Sequence, residues 1–295
     1  MTTPFAGSAA PPSTSLPTTV APAVADPGAD TGSSRRRDAR PRRGLPRLRA
    51  GSFRRWVSPV AIIALWQLAS STGLLDERDL ASPAQIAVSA ADLVADGTLL
   101  SAIGVSVQRV ALGFAIGAIA GLVLAVLAGL SRLGEDAIDP PMQMLRTLPH
   151  FGLIPLFIIW LGIDEAPKVA LIALGVAFPL YLNTFAGIRG IDRRVVEAAR
   201  SMHLTRLQRI RHVILPGALP QTLVGLRQSL GIAWLSLIVA ETIASDAGLG
   251  YMINRARDFL QTDVIVVGLA TYSLLGLLTD AVVRHLERKA LVWRT

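Results

Sequence analysis

The chain has 295 residues, 52% of them hydrophobic and only 17% charged, with a mean hydropathy of +0.49. That balance belongs to a polytopic membrane protein and excludes an ordinary soluble domain. The net charge of +8 does not point to nucleic acid, because the arginines stand in blocks beside apolar runs rather than on a basic, aromatic-interleaved face.

Residues 1 to about 34 are rich in Pro, Ala, Ser and Thr and contain no Lys or Arg, a composition that cannot bury enough apolar surface to order itself. Ten arginines follow between Arg35 and Arg55, directly before the first apolar run. Such a block resists translocation and attracts anionic lipid headgroups, so the N-terminus is expected in the cytoplasm. Residues 1–55 are therefore expected to form a disordered cytoplasmic tail, and 56–295 the membrane domain.

Six stretches approach the roughly 20 apolar residues that a bilayer crossing needs. They are Trp56–Leu75, Val110–Leu130, Thr147–Ile163, Val169–Ile188, Leu219–Ala240 and Val264–Val283. The second carries Gly113, Gly117 and Gly121 at four-residue spacing, which predicts one face that a neighbouring helix approaches closely. The third holds Pro149 and Pro155 and is expected to be kinked or broken. Six spans starting inside place both termini and the arginine-rich stretch after the fourth span in the cytoplasm, and put Asp76, Glu77, Asp79, Asp164, Glu165, Asp246 and Asp263 outside.

The stretch between the fourth and fifth spans, residues 193–216, is unlike the rest. It contains EAARSMHLTRLQRIRHVILP, Glu197 to Pro216. Ala198 and Ala199 offer a flat surface over which another protein's groove can close, with the Glu197 carboxylate at its edge. Arg200, Arg206, Arg209 and Arg211 surround them.

Ionisable groups inside a span are functional hypotheses by default. Arg227 lies 11 residues beyond Pro216, about 16 Å along the fifth helix and so near mid-membrane. Either it faces the translocation path and attracts an anion, or it is bonded within the bundle. Arg109 and Glu241 stand near the outer ends of their spans and are expected to snorkel to the headgroups. Asp280 and Arg284 have the spacing of an exposed helical ion pair.

No catalytic constellation, metal site or cofactor is expected. The four histidines, His150, His203, His212 and His285, have no ligand spacing, and there is no cysteine. No G-x-x-x-x-G-K-[ST] loop occurs, so the energy for any pumping comes from another chain.

The Glu-Ala-Ala start at Glu197, Ala198 and Ala199, and the close at Leu215 and Pro216, resemble the cytoplasmic loop of permeases of ATP-binding-cassette (ABC) importers. The resemblance extends from about Pro59 to Trp293. Four further stretches, Ile138–Glu165, Phe178–Asp192, Leu237–Val264 and Leu274–Arg288, are similar to the aliphatic sulfonate branch of the nitrate, sulfonate and taurine group.

The resemblance implies an all-α, type I importer transmembrane domain. It also implies a homodimer forming one pore, a cytoplasmic ATPase docked on the loop, and an extracytoplasmic binding protein that delivers substrate. Where the family pattern has glycine between the loop's two short helices, this chain has His203, a residue that enters the left-handed region less readily. The substrate implied is an aliphatic sulfonate; taurine, nitrate or another small anion is the alternative within the class. An ion-coupled secondary transporter with Arg109 and Glu241 as a relay is the alternative outside it.

Overall fold

Three small-residue contacts bring the bundle's central helices together. The computed structural model describes residues 50–76, 79–243 and 245–292. Of the expected tail, residues 1–55, residues 1–49 lie outside the described residues, while 50–55 are helical and open α1 (Ala50–Ser71) instead of being disordered. Helix α3 (Thr98–Leu130) and helix α6 (Glu165–Arg189) meet along the predicted glycine face. A Cβ at Gly113 would strike Ile172, and at Gly117 and Gly121 it would strike the backbone carbonyls of Ala173 and Ala177. Lipid tails are as apolar as leucine, so close backbone packing of this kind is what draws such helices together.

The other face of α6 packs on α9 (Leu215–Ile243), where Gly225 lies against Pro179, Leu180 and Asn183, and Ser229 Oγ donates to the Val176 carbonyl at 2.8 Å. Helix α6 is thus the axis of the unit. Of its most apolar stretch 56% is buried, against 17% for α11 (Thr262–Ala290), which forms an edge.

The remaining elements frame these four. α1 (Ala50–Ser71) and α2 (Pro83–Ala95) precede α3. α4 (Arg132–Thr147) leads through a 3-10 turn (His150–Leu153) into α5 (Ile154–Leu161). α7 (Arg193–Ser201) and α8 (Arg206–Arg209) lie between α6 and α9, and α10 (Leu249–Asp258) lies between α9 and α11.

Among the described residues, four helices are long and apolar enough to cross a membrane: α3, α6, α9 with its preceding turns, and α11. A fifth candidate is the pair α4 and α5, bent by 89°. The break expected in Thr147–Ile163 is present, but the span is not that stretch alone, because α4 supplies half of it. Leu148, preceding Pro149, is forced into extended backbone (φ −73°, ψ 137°), which ends α4; Pro155 then fits the first turn of α5, where no N–H is needed. α1 (Ala50–Ser71, 22 residues) covers most of the first expected span, Trp56–Leu75, and its described side chains from Val57 to Ser71 form an apolar helix.

Candidate functional site

The loop keeps its tight turn despite the missing glycine. Asp192 caps α7 by accepting from the Arg194 N–H at 2.9 Å. At the other end His203 adopts φ 57°. Its N–H donates to the Arg200 carbonyl at 2.9 Å, and the Leu204 N–H donates to the Ala199 carbonyl at 3.2 Å. This is the paired bonding of a Schellman motif, with histidine in the left-handed position usually given to glycine. Thr205 and Gln208 then form a reciprocal capping box that starts α8.

Within the loop Ala199 is buried, whereas Glu197 and Ala198 are exposed. Val195, Ala198 and Met202 are exposed at helical spacing, so α7 presents an apolar face, joined in composition by exposed Leu207 on α8. From Arg206 the chain continues without a loop into α9, through a π turn at Ile210–Ile214. The Leu215 N–H donates to the Ile210 carbonyl across that turn. Leu215 and Pro216, the expected close of the motif, are the first two residues of α9.

The end of the bundle opposite this loop holds a buried ionic cluster. Arg109 on α3 donates to both oxygens of Glu165, at 2.6 Å each, and through Nη1 to Glu241 Oε1 and the Ala247 carbonyl, at 2.7 Å each. The Glu241 carboxylate also accepts from Ser106 Oγ (2.8 and 2.9 Å), the Gly250 N–H (2.8 Å) and the Tyr272 hydroxyl (2.7 Å). Lys168 lies 3.0 Å from Glu165.

The expectation that Arg109 and Glu241 snorkel is therefore wrong. Arg109 is 3% exposed and Glu241 is fully buried. The physical reason is the chain from Ala247 into α10, where the Ala247 carbonyl accepts from Arg109 and the Gly250 N–H in the first turn of α10 donates to the Glu241 carboxylate. Gly248 makes this possible with φ 100° and ψ 176°, a conformation essentially restricted to glycine, and a Cβ there would strike both Glu241 and Arg109.

Sequence reasoning missed Ser106, Glu165, Lys168 and Tyr272 as members of this cluster. The usable signal was that opposite charges fell at the same end of several spans.

Arg227 sits 3.2 Å from Asp280 and 3.5 Å from Glu287, both on α11, and is 44% exposed. Asp280 also pairs with Arg284, as the four-residue spacing predicted. Arg227 is thus level with the charged end of α11.

Residues 113–292 match the family described as the binding-protein-dependent transport system inner membrane component. The chain belongs to this family: it is a membrane subunit of an ABC importer, a transport component whose ATPase and substrate-binding protein are separate partners. It is 51% identical over 238 residues to an Escherichia coli K12 protein named as an aliphatic sulfonates transport permease, SsuC, covering 81% of this chain and 90% of that one. The Bacillus subtilis 168 protein of the same name is 47% identical, covering 84% and 90%. The E. coli K12 taurine transport system permease protein TauC is 32% identical, covering 79% and 86%.

Among solved structures, a crystal structure of an amino acid ABC transporter with histidines matches at TM-score 0.57 and 20% identity, covering 68% of this chain and 97% of that one. A structure of the MetNI methionine ABC transporter matches at TM-score 0.51 and 19% identity, covering 64% and 95%. These two support the type I importer fold alone. Family membership removes the ion-coupled alternative, and the Arg109–Glu241 pair needs no relay role, since both groups are bonded within the bundle.

Proposed function

We propose that this permease forms the pathway for aliphatic sulfonates. The observation that carries the substrate class is the contrast in identity, 51% to the sulfonate permease of E. coli against 32% to the taurine permease of the same organism. Two copies of the chain would enclose one pore in the lipid bilayer, with both termini and residues 193–216 in the cytoplasm. Residues 1–55 would be a cytoplasmic tail, and 56–295 the membrane domain.

In this reading the exposed face of Val195, Ala198 and Met202 seats in a groove of the ATPase, with Glu197 at its rim. Buried Ala199 lets α7 lie close on its own chain, and His203 fixes the angle between the loop's two helices. Leu215 and Pro216 hand the movement to α9 when ATP closes the ATPase pair. Arg227 ties α9 to α11 through Asp280 and presents its exposed edge to a passing anion.

The test is growth of a deletion strain on single sulfur sources: alkanesulfonates of several chain lengths, taurine and sulfate. Loss confined to alkanesulfonates, restored by the wild-type gene and not by Ala198→Asp, is the expected result. Loss confined to taurine, or full rescue by Ala198→Asp, would overturn the substrate class or the coupling face respectively.

A further inference from the structure

Lipid-facing and water-facing surfaces of a bundle carry different side chains, and both kinds occur here. On α3 the exposed stripe beyond Gln108 is Leu112, Ile116, Ile119, Val123 and Leu127, apolar from there on and set apart from the glycines that hold α6. Leu269, Leu274, Leu277 and Leu278 give α11 a similar surface. Helix α9 differs. Its exposed stripe runs Gln221, Val224, Gln228, Gly231 and Leu235, placing two amides on a helix apolar enough to cross the membrane.

A third amide joins them. Gln221 Nε2 donates to Asn183 Oδ1 at 2.9 Å; Asn183 Nδ2 donates to Gln228 Oε1 at 2.9 Å and to the Pro179 carbonyl at 2.8 Å. The three form a ladder across the α6–α9 seam, where Gly225 lets the two backbones meet. Neither the Gln228 amino group nor the Gln221 carbonyl takes part in the ladder. At its loop-side end Gln221 borders a cavity of about 450 Å³ shared with Ala186, Gly190, Val195 and Gly217. Polar side chains within a span face the bundle interior or a water-filled space, because hydrocarbon leaves their hydrogen-bonding groups unmet.

We propose that Asn183, Gln221 and Gln228 line the aqueous pathway, and that the Gln228 amino group and the second N–H of Gln221, both held in place by Asn183, hydrogen-bond the oxygens of the anionic headgroup in transit. Uncharged donors suit that task. They replace part of the hydration of a sulfonate without holding it as a fixed cation would, so it can leave. The proposal rests on the reading of this chain as an organic-anion permease.

The absence of cysteine from the chain supplies the test. Gln221→Cys, Gln228→Cys and, as a lipid-face control, Ile119→Cys are each placed in the complete transporter in membrane vesicles. They are treated with a charged, membrane-impermeant thiol reagent, and alkanesulfonate uptake by the wild type is measured in the same preparation. The expected result is labelling several-fold faster at 221 and 228 than at 119, slowed at 228 by an alkanesulfonate during turnover. Gln228→Leu is expected to raise the KM for uptake roughly tenfold, about one hydrogen bond's worth, with assembly unchanged. Labelling no faster than the control overturns the proposal, as does a disulfide joining two copies of Gln228→Cys without labelling. Failure of the substrate reading shows separately, as no wild-type uptake of alkanesulfonates. Uptake without protection at 228 overturns the headgroup contact alone.

Discussion

Arg109 Nη1 lies 2.7 Å from Glu241 Oε1, and neither side chain is more than 3% exposed. The pair joins α3 to the end of α9, and Glu165 adds the start of α6. Removing Arg109 strands the Glu241 charge in a low-dielectric interior, at about 3–5 kcal/mol, whereas removing Glu241 leaves Arg109 paired with Glu165, and removing both is milder than removing Arg109 alone. Arg109→Met should lower the thermal midpoint of the purified permease sharply, and Glu241→Gln by less, since Arg109 keeps Glu165. The double variant should recover much of the Arg109→Met loss, and a double-mutant cycle with no coupling would show the two groups to be independent.

Gly248→Ala should act on the same cluster without touching a charge. The residue's φ and ψ are almost confined to glycine, at about 1–3 kcal/mol for other residues, and the added methyl meets the Glu241 carboxylate. Reduced thermal stability is expected, and transport should fall with it. An unchanged midpoint would mean that the α9–α10 connection can be rebuilt.

At the other end of the bundle, His203 holds a left-handed conformation that costs an L-residue about 1–2 kcal/mol. His203→Gly should therefore retain uptake and ATPase co-purification, while His203→Val, β-branched at a positive φ, should weaken both. Equal behaviour of the two would remove the turn from the coupling argument.

Gly117→Val should prevent the close contact of α3 with α6, since the new Cβ runs into the Ala173 backbone, which cannot step aside as a flexible side chain could. Ile119→Val, two residues away on the exposed stripe, should be silent. Yield of folded permease after membrane extraction distinguishes them.

Arg227→Asp should repel Asp280 and Glu287, and pairing it with Asp280→Arg should restore part of the loss if the contact is chiefly structural. If Arg227→Lys supports normal uptake while the swapped pair expresses well and does not transport, the exposed guanidinium itself serves the substrate.

The long apolar helices, the α3 glycine face, the break in the third span and the loop motif were legible, because each depends on local composition or on spacing within one element, whereas α2, α4 and α10 were not predicted. The burial of Arg109 and Glu241 was not. It depends on α10 folding back, which rests on Gly248 entering an unusual backbone region and on Glu165, 56 residues away from Arg109, arriving at the same level. The amide ladder was hidden for a similar reason. Asn183 and Gln228 lie 45 residues apart, and each alone is an unremarked polar residue in an apolar run. The turn at His203 survived a missing glycine because backbone hydrogen bonds on both sides hold it.

From Arg206 to Ile243 the chain is one helical run of 38 residues, on the order of 57 Å at 1.5 Å each. Its only change of winding is the π turn at Ile210–Ile214, immediately before Pro216. No slack segment separates the loop's second helix from the membrane, so a push on the short arm is not lost as local wobble. In the proposed coupling, the π turn and the prolines beside it would be the fulcrum, and the long arm beyond would carry Gln221, Arg227 and Gln228 toward Glu241. A small displacement at the ATPase contact would thus be enlarged along the arm, with the buried charges at its far end setting how far it can swing.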